Sequence, residues 1–306
     1  MLKIGILGMS EGNAHPYSWS AIINGRYDEA EINRVGYPGV SAYLNANADT
    51  LGIDDARVTH VWTQDAAVSA SIARTTGIDH IVENAEDMIG KVDAVILSRD
   101  DPDQHVQMAK PFIDAGIPIF IDKPLAATQE DLQYFSDEVA KGKFIMSCSS
   151  MRYSPEARTA KIEFPSLGTL ELITATGKKD WIKYGVHMLE AVFMLIDDQK
   201  PLTVQHFGEK GKDMVHLTFA SGLQAQINLF YHISPTFQVS AFGQQAWRLI
   251  EIKNSYSMFR DNIIEFIRSV KQGKPRLDFG KTINIIDTLI KAEESRLQNG
   301  KLISCT

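Results

Sequence analysis

Lys3-Ile4-Gly5-Ile6-Leu7-Gly8-Met9-Ser10-Glu11-Gly12-Asn13 is an apolar, β-forming run that ends in a glycine-rich turn, and a helical pattern begins near Tyr17. A strand, a tight glycine turn and a helix in that order let backbone N–H groups approach an anionic ligand at a helix N-terminus. Working outward, short apolar runs at 58–63, 94–97, 117–121 and 144–147 alternate with helical segments such as 128–141. In that segment Thr128 stands at the N-cap position, Asp131 follows three residues on, and Leu132, Phe135 and Val139 form an apolar stripe. The alternation predicts a doubly wound, parallel α/β sheet over about residues 1–150.

Beyond residue 150 the period changes. Strand-like runs at 169–176, 214–220, 223–231, 237–242 and 247–252 follow one another, with Ser221-Gly222 and Gly243-Gln244 placed as turns. They predict an α+β domain over 151–306 with a largely antiparallel open sheet, helices at 185–196 and 259–271, and a last helix near 281–298. One segment is too long for a compact βαβ unit, because about 30 residues, 26–57, separate the first helix from the second strand. It is expected to be a surface insertion with a short helix around 41–48, or a loop that shapes a pocket or a subunit contact.

The 306 residues suffice for two domains. Lys and Arg number 31 against 38 Asp and Glu, a net charge of −7 with no basic block, which argues against nucleic acid or an anionic membrane as partner. The N-terminal apolar run is too short for a signal-peptide core or a membrane span, so a cytoplasmic location is expected. Cys148 and Cys305 form no disulfide framework and have no zinc-ligand spacing, so no metal site is expected; Cys148, after Phe144-Ile145-Met146, reads as a small buried residue.

Against the pattern G-x-G-x-x-G, Gly8 fits the first glycine, Ser10 stands at the second and Asn13 at the third, with Gly12 beside it. Thr63 and Gln64 end the second strand, Thr63 where a carboxylate would meet the adenosine ribose, and a neutral residue there leaves NAD and NADP both open. Ile117-Pro118-Ile119-Phe120-Ile121-Asp122-Lys123-Pro124 carries an acid and a lysine to the carboxyl end of a buried strand, where open α/β sheets bind ligands. His15, Tyr17 and Trp19, where the turn enters its helix, are placed to pack on a cofactor or on neighbouring structure.

Asp122-Lys123-Pro124 resembles the Glu-Lys-Pro signature of the Gfo/Idh/MocA oxidoreductases, and the resemblance extends over almost the whole chain. Ser98-Arg99-Asp100-Asp101-Pro102-Asp103-Gln104-His105 looks like the family's loop after strand four, and Arg152-Tyr153-Ser154-Pro155 is similar to its Arg-Phe-x-Pro segment. Gly273-Lys274-Pro275, with Ala292 and Ser295, looks like its C-terminal helix region. The family's segment Gly-Gly-Gly-x-x-x-Asp-x-Gly-x-His-x-x-Asp is matched at Gly177, Gly185, His187 and, conservatively, Glu190, but Lys183 stands where the family carries its catalytic-site Asp. On a helix, positions 183, 187 and 190 share one face.

Residues and resemblance together imply a Rossmann domain that binds NAD or NADP, with candidate contacts at Gly8, Ser10, Gly12, Asn13, Thr63, Gln64, Ser98, His105, Asp122 and Lys123. Candidate substrate contacts are Lys123, Arg152, Tyr153, Lys183 and His187. The implied reaction is hydride transfer to or from a hydroxyl-bearing carbon of a sugar, cyclitol or related polyol derivative, a small-molecule substrate handled by a dimer or tetramer. His187 is the candidate acid/base, and Lys123 orients the alcohol oxygen, steadies alkoxide charge or shares the proton transfer. Lys183 either meets an anionic substrate group, depresses the pKa of His187 by repulsion, or marks altered chemistry. Two alternatives stay open: a nucleotide-sensing or regulatory protein that has lost catalysis, and an NAD-dependent glycoside hydrolase with no net redox change.

Overall fold

The computed structural model describes residues 1–305, in two compact units. The first is built on six parallel strands: β1 (Leu2–Leu7), β2 (Ala56–Trp62), β3 (His80–Ile81), β4 (Ala94–Leu97), β5 (Ile119–Ile121) and β6 (Ile145–Met146). Their order is β3-β2-β1-β4-β5-β6. Every residue of β4 and β5 is buried, as their unbroken apolar runs require of strands covered on both faces. The order reverses between β1 and β4, and at such a reversal two adjacent loops leave the sheet in opposite directions and open a crevice at its carboxyl edge.

Helix α1 (His15–Asn24) follows the glycine turn. The long insertion then folds as α2 (Glu29–Arg34) and α3 (Pro38–Asn45), followed by a 3-10 turn at Ala48–Thr50. Asp28 caps α2 by accepting from Glu31 N, and Ile32, Val40 and Leu44 are buried, so the segment is packed structure rather than an open loop. The helix expected at 41–48 is α3, a few residues earlier; α2 escaped the sequence reading because six residues do not show a helical period. The remaining helices with residues in the first unit are α4 (Ala66–Thr76), α5 (His105–Asp114) and α6 (Gln129–Ala140). Thr128 Oγ1 accepts from Asp131 N at 3.1 Å, the cap expected from sequence.

The second unit carries α7 (Pro155–Glu163), α8 (Val186–Leu195) and a seven-stranded sheet. Its strands are β7 (Leu170–Lys178), β8 (Pro201–Glu209), β9 (Lys212–Phe219), β10 (Gln224–Phe230), β11 (Phe237–Gly243), β12 (Trp247–Glu251) and β13 (Ile303–Ser304). The order is β12-β11-β7-β10-β9-β8-β13, antiparallel except for β7 with β10. Burial alternates along β7, β9 and β10, with Ile173, Ala175, Val215, Leu217, Ala225 and Ile227 facing the core. Strand β8 was not foreseen; Pro201 at its start and Gly208 near its end are residues that depress strand propensity.

The last two helices are α9 (Ser255–Gln272) and α10 (Phe279–Leu297). The first unit comprises Met1–Leu125, Gln133–Ser147 and Phe259–Phe279; the second comprises Ala126–Leu132, Cys148–Met258 and Gly280–Thr306. The sequence division assigns all of 151–306 to one domain, whereas Phe259–Phe279 returns to the first unit. The reason is apolar packing: Phe266 lies 5.6 Å from Phe120 and 6.4 Å from Phe144, centroid to centroid. Cys148 and Cys305 are buried thiols. Among the described residues no helix is long and apolar enough to cross a membrane.

Candidate active site

The glycine turn at the end of β1 is shaped by its two left-handed glycines. Gly8 has φ +72°, and a Cβ there would stand 2.6 Å from Arg99 Cδ, so glycine is required twice over. Gly12 has φ +76° and nothing within 4 Å of where a Cβ would stand, which leaves its backbone open to close approach by a phosphate. Ser10, at the second motif position, is turned inward: its Oγ donates to Asp100 Oδ1 at 2.6 Å and accepts from Asp100 N at 3.1 Å. A side chain at this position is therefore accommodated, and the turn fits a dinucleotide's pyrophosphate.

At the end of β5, the Asp122 carboxylate is 1% exposed and surrounded by donors. Its Oδ2 accepts from Asn13 Nδ2 at 3.0 Å and lies 2.6 Å from His15 Nδ1, while Oδ1 accepts from Lys123 N at 2.8 Å. Burial pushes the Asp122 pKa up, but attraction from His15 and Lys123 and these hydrogen bonds outweigh it and hold the carboxyl well below the usual range. Lys123 is buried as well, with Nζ 3.6 Å from Asp100 Oδ2. Ser10, Asn13, Asp100, Asp122 and Lys123 thus form one connected network at the carboxyl edge of the sheet.

Four other expected cofactor contacts are tied into the protein. Thr63 Oγ1 donates to Asp65 O at 2.6 Å and lies 2.8 Å from Ser69 Oγ, so it is engaged by its own turn rather than presented to a ribose. Gln64 clasps the glycine turn from the β2 side, accepting from Met9 N at 3.2 Å and donating to Met9 O at 3.3 Å. Ser98 Oγ donates to Leu7 O across the ends of β1 and β4. His105 is fully buried between two carbonyls, Leu125 O at 3.0 Å from Nδ1 and Arg99 O at 3.1 Å from Nε2, and burial lowers its pKa. Its place is that of a core bridge. Trp19 and Tyr17 are core residues too; His15 stacks on Trp19 at 4.2 Å, and Tyr17 OH donates to Ser71 Oγ at 2.8 Å.

In the second unit, His187 lies on the first turn of α8. Its Nδ1 is 2.6 Å from Oγ of Ser149, a fully buried residue whose Oγ also accepts from Met151 N at 3.2 Å. The imidazole is boxed by aromatic rings, Tyr184 at 5.1 Å and Phe237 at 6.2 Å, which stack on each other. Lys179 Nζ donates to Tyr184 OH at 2.5 Å, and Tyr231 OH donates to Asp180 Oδ2 at 3.1 Å. Ser149 was not a candidate, because no motif marks a serine that meets a histidine 38 positions away.

The shared helical face expected for Lys183, His187 and Glu190 does not form. Trp181–Gly185 is a π-helical turn, capped by Asp180 Oδ1 accepting from Lys183 N at 2.9 Å, and the α-helix begins only at Val186. Glu190 is buried, bonded to Arg152 Nε at 2.6 Å and accepting from Ser149 N at 3.0 Å. Arg152 places its other two guanidinium nitrogens on Asp198, at 3.2 and 2.6 Å. Lys281 Nζ is 2.8 Å from the same carboxylate. Burial opposes ionisation of Asp198, but Arg152 and Lys281 hold its pKa below the ordinary value. Arg152, a candidate substrate contact, is thus committed to a buried ionic network; Tyr153 is half-buried in the 3-10 turn beside it.

Comparison with known proteins agrees with this arrangement. Residues 32–148 match the model of an oxidoreductase family with an NAD-binding Rossmann fold, GFO_IDH_MocA. Inositol 2-dehydrogenase 1 of Saccharopolyspora erythraea is 36% identical over 126 residues, a match spanning 39% of this chain and 37% of that protein's length. Among solved structures, a probable dehydrogenase of Thermotoga maritima superposes with a TM-score of 0.79 at 13% identity, covering 99% of each chain. The myo-inositol dehydrogenase of Lactobacillus casei, in complex with NAD(H) and myo-inositol, gives 0.78 at 15% identity, over 100% of this chain and 97% of that one. The structural likenesses show the fold, and the match to the oxidoreductase family model covers residues 32–148, less than half of the chain.

Proposed function

We propose that the protein is an NAD(P)-dependent oxidoreductase that moves hydride to or from a hydroxyl-bearing carbon of a cyclitol, sugar or related polyol. The observation that carries this reading is the connected network of glycine turn, Asp122 and Lys123 at the carboxyl edge of the parallel sheet, in a segment that matches the family model. Two of the named proteins are inositol dehydrogenases, which favours a cyclitol among the polyols. A nicotinamide cofactor, when bound, accepts or returns the hydride. Gly12, whose backbone is open, faces its phosphates, and Asp122 fixes the floor of the turn through Asn13 and His15. Lys123 Nζ donates to the alcohol oxygen and steadies alkoxide charge. His187 takes or returns the hydroxyl proton at Nε2 while Ser149 holds Nδ1.

Purified protein with NAD or NADP and a panel of cyclitols, hexoses and their acids tests the reading by absorbance of the reduced nicotinamide. Cofactor reduction by at least one polyol is expected. Tight cofactor binding with no turnover across the panel would instead point to a binding protein.

We also propose a homo-oligomer formed through the open face of the second unit's sheet. Trp247, Phe242 and Leu172 lie side by side in register on β12, β11 and β7 and are 60, 38 and 37% exposed, an apolar patch of the kind that marks an interface. Sedimentation should give a dimer or tetramer that Trp247→Asp weakens; a wild-type monomer at micromolar concentration refutes it.

A further inference from the structure

Asp100 is a buried carboxylate held between two parts of the candidate site. On one side its Oδ1 accepts from Ser10 Oγ at 2.6 Å while its own N–H donates back to the same oxygen at 3.1 Å. On the other side its Oδ2 lies 3.6 Å from Lys123 Nζ. The double hold by Ser10 fixes the carboxylate against rotation, so the lysine is paired with an acid that cannot follow its movements. A glycine at position 10, as the dinucleotide pattern prefers, would supply no such bond.

Lys123 needs a fixed partner of this kind. An ammonium on a four-carbon stem is flexible and strongly hydrated, and burying it uncompensated drives it toward the neutral amine. The charged and titratable groups around it in its own unit are Asp100 on the loop after β4, the neighbouring Asp122, and His15 on α1 behind Asp122. Asp122 is already engaged by Asn13, His15 and the Lys123 amide, so the carboxylate available to the ammonium itself is Asp100. A neutral lysine would act as a base; a charged one donates to the alcohol or alkoxide oxygen.

We propose that Asp100 is the positioning counter-ion of Lys123: it keeps the ammonium charged and fixed, and through Ser10 it ties that charge to the glycine-rich turn that holds the cofactor. This rests on the dehydrogenase reading of Lys123, but its central claim concerns the state of the lysine and is measurable without turnover. Asp100→Asn keeps the size and the acceptor for Ser10 and removes the charge. Trace acetylation of the folded protein across a pH series, with the Lys123 peptide quantified by mass spectrometry, follows the titration of the amine. Its reactivity near neutral pH should rise at least several-fold in Asp100→Asn and stay near wild type in Asp100→Glu, with Ser10→Ala giving a smaller rise. With a polyol substrate, Asp100→Asn should lower kcat by about 10-fold or more while the KM for cofactor stays within about twofold, and the alkaline limb of the profile should move to lower pH. An unchanged Lys123 titration in Asp100→Asn overturns the proposal. A shifted titration in a protein that turns over no polyol keeps the ion pair and rejects the dehydrogenase reading instead.

Discussion

His187→Ala and Lys123→Ala are each expected to reduce kcat/KM on a polyol substrate by about 10²–10⁴-fold, the usual contribution of a positioned proton-transfer group, while cofactor binding survives. At ~1.4 kcal/mol per factor of ten this is about 3–5 kcal/mol of transition-state stabilisation. The two losses have different causes. Removing the imidazole takes away the group that Ser149 orients, so the hydroxyl proton must pass to water. Removing Lys123 takes away charge that stabilises alkoxide, together with the ammonium 3.6 Å from Asp100 Oδ2. Steady-state kinetics with cofactor titration by intrinsic fluorescence checks both, and normal turnover in either variant removes that residue from the chemistry.

Arg152→Ala is expected to act on stability rather than on the reaction. The guanidinium joins Glu190 and Asp198, and deleting it leaves two carboxylates without their main partner, Glu190 2% exposed and Asp198 with its side chain 8% exposed. Breaking a buried pair from one side typically costs about 3–5 kcal/mol. The melting temperature should therefore drop by several degrees, and more steeply as pH rises, because burial pushes the Glu190 carboxyl up and Arg152 is the charge that opposes this. Arg152→Lys, which restores charge but not the fork, should recover only part of the loss. If Arg152 instead bound substrate, the variant would melt like wild type and show a raised KM.

The fold was legible where a local pattern decides it. The apolar run 94–97 coincides with β4, the Thr128 cap forms, and the turns at Ser221-Gly222 and Gly243-Gln244 join antiparallel pairs β9–β10 and β11–β12. What escaped was short or decided at a distance: β3 with two residues, α2 with six, and the return of Phe266 to Phe120. The site divides in the same way. Asp122 and Lys123 were visible because a strand end is a local feature, whereas the partners of each, His15 and Asp100, are 107 and 23 positions away by residue number. Glu190 misled because its spacing from Lys183 assumed α-helical geometry through a turn that is π-helical.

The passage of the chain between its two units has a consequence for biosynthesis. The chain crosses from one unit to the other at 125/126, 132/133, 147/148, 258/259 and 279/280, so neither unit is a single uninterrupted stretch of polypeptide. When the ribosome has delivered β1 through β6, Phe120 and Phe144 still wait for Phe266, which leaves the exit tunnel more than a hundred residues later. The nascent first unit therefore stays incomplete, with apolar surface in need of shielding, until the C-terminal part of the chain has been made.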